Sequence, residues 1–202
     1  FFKLNLIGGD TTKTLDKTVL SLTIFGDLIN DKFIKRSSAR SSDHIYVSGT
    51  IGDSALGLHC KKKAKVNILK KHKEFLFNRY LKPNPRIDLI NYINKNASAS
   101  TDISDGLYSD LDNICRASNL GADINFNLVP LSNAARAIVA KYPKLNKLIL
   151  SGGDDYEVLF TGRDGLDRNK KITKIGKMKK GYNINITDFD DITNLDGYKH
   201  KF

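Results

Sequence analysis

The chain has 202 residues, 40% of them hydrophobic, and a formal net charge of +11. That length supports one good core, or one core and part of a second. No run approaches the roughly 20 apolar residues that span a membrane, and Cys60 and Cys115, far apart and the only two cysteines, form neither a disulfide framework nor a zinc site.

Leu4 to Ile7 is a short apolar run that leads into Gly8-Gly9-Asp10-Thr11-Thr12. It predicts a strand, and the β-branched, apolar stretch Thr18 to Phe25 predicts a second, buried one. Residues 26 to 43 are polar and turn-rich, as at a domain junction. His44 to Thr50 reads as a strand, and Ile51-Gly52-Asp53 opens a helix through about Lys63. From Asn67 to Tyr80 apolar residues recur at helical spacing, until Pro83 and Pro85 end the helix. Arg86 to Ile93 predicts a short helix.

Ala97 to Ile103 reads as a strand, and Ser104-Asp105-Gly106 turns it into a helix that buries Leu107, Leu111, Ile114 and Cys115. Ala122 to Phe126 reads as a strand, and Ser132 caps a helix through Lys141. The glycine-acid loop Ser151 to Asp155 precedes a strand from Tyr156 to Thr161. Ile172 to Lys177 and Tyr182 to Ile186 complete the sheet. Strands and helices mix without strict alternation, so the expected class is α+β, or mixed α/β.

Three segments share a chemical logic: Gly8-Gly9-Asp10-Thr11-Thr12, Asp102-Ile103-Ser104-Asp105-Gly106 and Ser151-Gly152-Gly153-Asp154-Asp155. Small residues let backbone approach a ligand. Carboxylates are hard oxygen donors suited to Mg²⁺, and no histidine or cysteine accompanies them. A glycine-acid turn alone is usually only a turn, but three in a chain of charge +11 call for a cation. Magnesium with phosphate reconciles acidic loops with basic surroundings. A basic balance also admits nucleic acid or an anionic membrane surface. Yet the lysines are scattered and few aromatics interleave with them, unlike a nucleic-acid surface. Compositional bias plus an anionic small ligand is the favoured reading.

Leu6-Ile7-Gly8-Gly9-Asp10-Thr11-Thr12 resembles a signature of the thiamine-monophosphate kinase family. So do, in family order, Arg36 to Asp43 with Ile45 to Ala55, Arg79-Tyr80-Leu81-Lys82-Pro83-Asn84-Pro85-Arg86, Asp102 to Leu107, Pro130-Leu131-Ser132 and Ser151 to Glu157. Gly197-Tyr198-Lys199-His200 resembles the family's C-terminal motif. Single pieces recur in related ATP-binding enzymes such as aminoimidazole-ribonucleotide synthetase.

The resemblance implies the end of an N-terminal ATP-binding α/β domain (residues 1–25) followed by a C-terminal α/β domain of the aminoimidazole-ribonucleotide synthetase-like type (26–202). It implies Mg²⁺-dependent transfer of the ATP γ-phosphoryl to thiamine monophosphate, with several Mg²⁺ ions, by a protein that is a homodimer when full-length, while the two lone cysteines point to a reducing cytoplasm. By the same resemblance Gly9, Asp10, Arg36 and Ser104 contact ATP, while Asp10, Asp102 and Asp105 hold magnesium. Asp154 and Tyr198 contact the thiamine substrate. For Asp155 a structural role is the alternative.

The chain departs from the pattern in places. The family's earlier acidic and substrate segments do not appear, and Phe1-Phe2-Lys3 lacks the parts of a secretory signal, so the chain is expected to begin inside a longer protein. Serines replace usual glycines at Ser37-Ser38 and Ser41-Ser42, and Lys199 replaces an acid. The alternatives are an inactive fragment of such a kinase, or a superfamily relative acting on another substrate.

Overall fold

The computed structural model describes residues 4–63, 66–189 and 195, with Asn30 by its backbone alone. Its centre is a six-stranded mixed sheet in the order β2-β4-β1-β5-β3-β6. The strands are β1 (His44–Ser48), β2 (Ala97–Asp102), β3 (Gly121–Asn125), β4 (Val158–Gly162), β5 (Ile172–Lys179) and β6 (Ile184–Thr187). Every pairing is antiparallel except that of β3 with β6. The class is mixed α/β, as the sequence predicts.

The period of two along a strand decides which core each residue joins. On β1, Ile45 and Val47 point into the main core, and Tyr46 points to the other face. On β4, Leu159 and Phe160 divide the same way. Tyr46 and Phe160 stack at 5.3 Å between ring centroids, above a smaller cluster with Leu89 and Ile93.

The main core is closed by α1 (Asp53–Lys62), α2 (Lys70–Leu81), α4 (Leu107–Ser118), α5 (Asn133–Lys141) and α6 (Lys147–Ser151), while α3 (Ile90–Asn96) serves the smaller one. Helix α4 buries the predicted face of Leu107, Leu111, Ile114 and Cys115. Burial pushes the Cys115 thiol up to about 12, as befits core filler. Ser132 caps α5 by accepting from the Ala135 N–H at 3.0 Å. Among the described residues no helix is long and apolar enough to cross a membrane.

Two expectations fail: neither Leu4 to Ile7 nor Thr18 to Phe25 forms a strand. Residues 4 to 28 contain no strand, and their apolar side chains lie in the open, with Leu6 93% and Leu20 92% exposed. The β-branched run from Thr18 to Phe25 therefore has strand propensity without a strand. A strand exists only through a ladder partner and an apolar face to bury, and the six-stranded sheet offers this segment neither.

Candidate functional site

Strands β2 and β4 bring two glycine-acid loops side by side. Their pairing continues past the strand ends: Ile103 N–H donates to Glu157 C=O at 2.8 Å, Tyr156 N–H to Ile103 C=O at 2.9 Å, and Asp154 N–H to Ser104 C=O at 2.9 Å. This contact needs glycine. A Cβ on Gly153 would lie 2.0 Å from Ser104 O, and one on Gly152 2.2 Å from the Ala55 Cβ. Asp154 and Tyr156 take left-handed backbone conformations, φ 66° and 52°, which side-chain-bearing residues rarely hold.

Burial alternates along 155–157. Asp155 and Glu157 are buried and Tyr156 is 39% exposed. Asp155 faces inward and accepts from the Gly52 N–H at 2.5 Å and the Ser54 N–H at 3.1 Å, at the start of α1. Burial pushes its pKa up to about 7, against those two N–H bonds, while the Asp53 carboxylate adds to the rise and Arg79 opposes it. Glu157 accepts from the Ser48 hydroxyl at 2.5 Å, Arg79 at 2.9 Å and Arg86 at 3.1 Å. Arg86 also grips Asp88, which Lys171 reaches at 2.7 Å. Bonds from Arg86 and then Lys171 hold the Asp88 carboxyl down to about 2. The two arginines of the 79–86 segment thus brace the 151–157 loop from behind.

The other loop is fixed by Asp110, which is 1% exposed. One oxygen of its carboxylate accepts from the N–H groups of Ser104 at 3.0 Å, Asp105 at 3.0 Å and Gly106 at 3.2 Å. Burial raises its pKa, and the charges of Asp105 and Asp102 add to the rise.

Two clefts result. The larger, about 980 Å³, is lined by Ser104, Asp105, Gly153, Asp154 and Tyr156, with Leu58, His59 and Lys62 of α1 and with Tyr80. The smaller, about 450 Å³, is lined by Phe33, Arg36, Ser37, Thr101 and Asp102. Arg36 donates from Nε to the Thr101 hydroxyl at 3.1 Å, and its carbonyl accepts from the Ser118 hydroxyl at 2.9 Å. Asp102 belongs to the second cleft, yet its charge is felt in the first. Burial raises the pKa of the Tyr156 phenol, and the carboxylates of Asp154, Asp102 and Asp105 raise it further.

Among the described residues none of Asp102, Asp105 and Asp154 forms an ion pair. Among them, too, no three of histidine, cysteine, aspartate and glutamate group closely enough to enclose a metal. Magnesium takes one or two carboxylates together with water and substrate phosphates and seldom an all-protein cage.

The chain is 34% identical to the thiamine-monophosphate kinase of Aquifex aeolicus over 91% of its own length and 60% of that protein. To the thiamine-monophosphate kinase of Buchnera aphidicola from Acyrthosiphon pisum it is 36% identical, over 96% of its length and 58% of that protein. Among solved structures, AaThiL complexed with AMPPCP and TMP superposes with a TM-score of 0.73 at 34% identity, covering 85% of this chain and 55% of that one. The chain's homologues include these thiamine-monophosphate kinases. The chain spans less than two thirds of the length of these relatives. No family model matches it.

The residues matched to the kinase motifs fall into three groups. Ser104, Asp105 and Asp154 share the larger cleft, and Arg36 and Asp102 share the smaller. Gly9 and Asp10 lie on the exposed N-terminal segment and line neither cleft, and a Cβ on Gly9 would meet nothing within 4 Å. Tyr198 lies outside the described residues. Sequence reasoning missed Asp110 and the outward Tyr156. The available signals were an acid in the first turn of the helix that follows Ser104-Asp105-Gly106, and an aromatic between two inward acids.

Proposed function

We propose that this chain carries the C-terminal domain of a thiamine-monophosphate kinase. The reaction is Mg²⁺-dependent transfer of the ATP γ-phosphoryl to thiamine monophosphate, giving thiamine diphosphate and ADP. The observation that carries the reading is the meeting of the Asp102–Gly106 and Gly152–Glu157 loops, whose three outward carboxylates lack cationic partners among the described residues. The likeness to AaThiL complexed with AMPPCP and TMP supports the ligand pair.

In this reading Asp102 and Asp105, with Asp10, hold magnesium. Arg36, Ser104 and Gly9 contact ATP, and Asp154 and Tyr198 contact the thiamine monophosphate. Magnesium, when bound, neutralises phosphate charge. A guanidinium at Arg36 suits phosphate oxygens, and its place beside Asp102 puts cation and carboxylate on one groove. The acceptor is a phosphate monoester with a second pKa near ~6, so its oxygen is already anionic at neutral pH and needs no general base. Transfer is then direct and in line, and alignment with charge neutralisation is the whole task. Isolation of a phosphorylated protein intermediate during turnover would contradict this.

The exposed apolar side chains of residues 4–28 support assigning 1–25 to an N-terminal ATP-binding domain and 26–202 to the C-terminal domain. The full-length protein is proposed to be a homodimer, in a reducing cytoplasm that suits the free thiols of Cys60 and Cys115. Because Asp10 stands apart from both clefts, the 202-residue chain alone is expected to form no thiamine diphosphate. The test is an assay of the protein completed upstream, with ATP, Mg²⁺ and thiamine monophosphate. Thiamine diphosphate should appear; none from a folded, completed protein would overturn the reading.

A further inference from the structure

Tyr156 is the largest side chain on the two apposed loops that reaches the surface. Its chain neighbours Asp155 and Glu157 are buried, while it stays 39% exposed. Its backbone is not free to move the ring elsewhere, because its N–H is bound to the Ile103 carbonyl at 2.9 Å. The ring lines the 980 Å³ cleft beside Asp105 and Asp154. Tyr80 lines the same cleft, held by stacking on Phe77 at 6.2 Å. A fixed aromatic face beside Asp105 and Asp154, which form no ion pair among the described residues and outnumber the one lysine lining the cleft, Lys62, attracts a planar cation. Cation–π attraction and the nearby negative charges act in the same direction. A neutral ring would receive only the stacking contribution.

We propose that Tyr156 is a specificity-determining residue whose ring packs against the cationic heteroaromatic part of the phosphoryl acceptor. The inference rests on the kinase reading and deepens it. The thiazolium ring of thiamine monophosphate is a planar heteroaromatic ring with a fixed positive charge. Tyr156 then recognises the acceptor by its ring, while the acceptor's phosphate is left for the transfer chemistry.

The test uses the upstream-completed protein and three variants, Tyr156→Leu, Tyr156→Phe and Tyr182→Leu. Tyr182 is 74% exposed and outside the cleft, so its variant is the control. Tyr156→Leu is expected to raise KM for thiamine monophosphate about tenfold. The KM for ATP and the thermal midpoint should hardly move. Tyr156→Phe keeps the ring face and should restore the KM to within about threefold of the parent. An unchanged KM for thiamine monophosphate in Tyr156→Leu would overturn the inference and leave the kinase reading intact. So would equal rises in both KM values, or failure of Tyr156→Phe to rescue. A parent protein that forms no thiamine diphosphate would bring down the kinase reading, and this inference with it, before any variant is made.

Discussion

The tripeptide Gly-Gly-Asp occurs twice, at Gly8-Gly9-Asp10 and at Gly152-Gly153-Asp154, and the two copies have opposite surroundings. At 152 and 153 any Cβ would collide with Ala55 or with the Ser104 carbonyl, and the Asp154 N–H is bound to that same carbonyl. At 8 and 9 a Cβ would meet nothing within 4 Å, and the Asp10 carboxylate accepts only from its neighbour Thr11 among the described hydrogen bonds. The same three residues are thus a locked loop in one place and an open chain in the other. A glycine-acid motif names a chemistry. The contacts around it decide whether its carboxylate is aimed.

The contrast breaks most readily at its bracing. Glu157→Ala would strip the carboxylate from Arg79 and Arg86 in a buried setting, and is expected to cost about 3–5 kcal/mol in chemical denaturation. A loss below about 1 kcal/mol, the size expected of an exposed pair, would mean the brace is not formed. In the upstream-completed protein, Asp102→Asn should lower the rate of thiamine diphosphate formation on the order of a hundredfold. His72→Ala, outside both clefts, should leave it within about twofold. Equal effects would refute the assignment of Asp102.

Gly153→Ala sharpens the comparison directly, because the new methyl must push against Ser104 O, and overpacking of this kind costs about 1–3 kcal/mol. Asp155 gives a smaller, pH-dependent signature. Its folded pKa of about 7 stands above the unfolded value, so the folded chain keeps a proton that the unfolded chain has lost. Its contribution therefore makes stability rise as pH falls from about 7 to about 4, with Asp53 and Asp110 shifted the same way. Asp155→Asn should flatten that slope in a urea series across pH. The acid limb from Asp88, which acts in the opposite sense and is lost as pH falls through about 2, should persist. Gly9→Ala is the smallest change, expected to stay within about 0.5 kcal/mol in this chain.

Much of the fold was legible because local signals and tertiary fit agree. The His44–Ser48 run, the Ser132 cap and the turn into α4 all form as their residue types predict. Thr18 to Phe25 did not, because strand propensity expresses packing on a sheet and no sheet partner is present. Helix α6, five residues long, falls below the length at which periodicity can be read. At the site the acids were legible as a chemical class. The resemblance singled out Asp154 over Asp155, but the physical reason Asp155 turns inward was not legible, since it lies in hydrogen bonds to Gly52 and Ser54, a hundred positions away in sequence. The same holds for Glu157, whose partners Ser48, Arg79 and Arg86 come from three separate segments.

The loops at 102–106 and 151–157 present Asp105 and Asp154 to one shared cleft. Paramagnetic broadening of backbone amide signals by Mn²⁺, a stand-in for Mg²⁺, measures this directly on the 202-residue chain. The amides of Asp102 to Gly106 and of Gly153 to Tyr156 should broaden together over one range of Mn²⁺ concentration. Broadening confined to one loop, or centred on acids elsewhere such as Asp164 or Asp123, would contradict it.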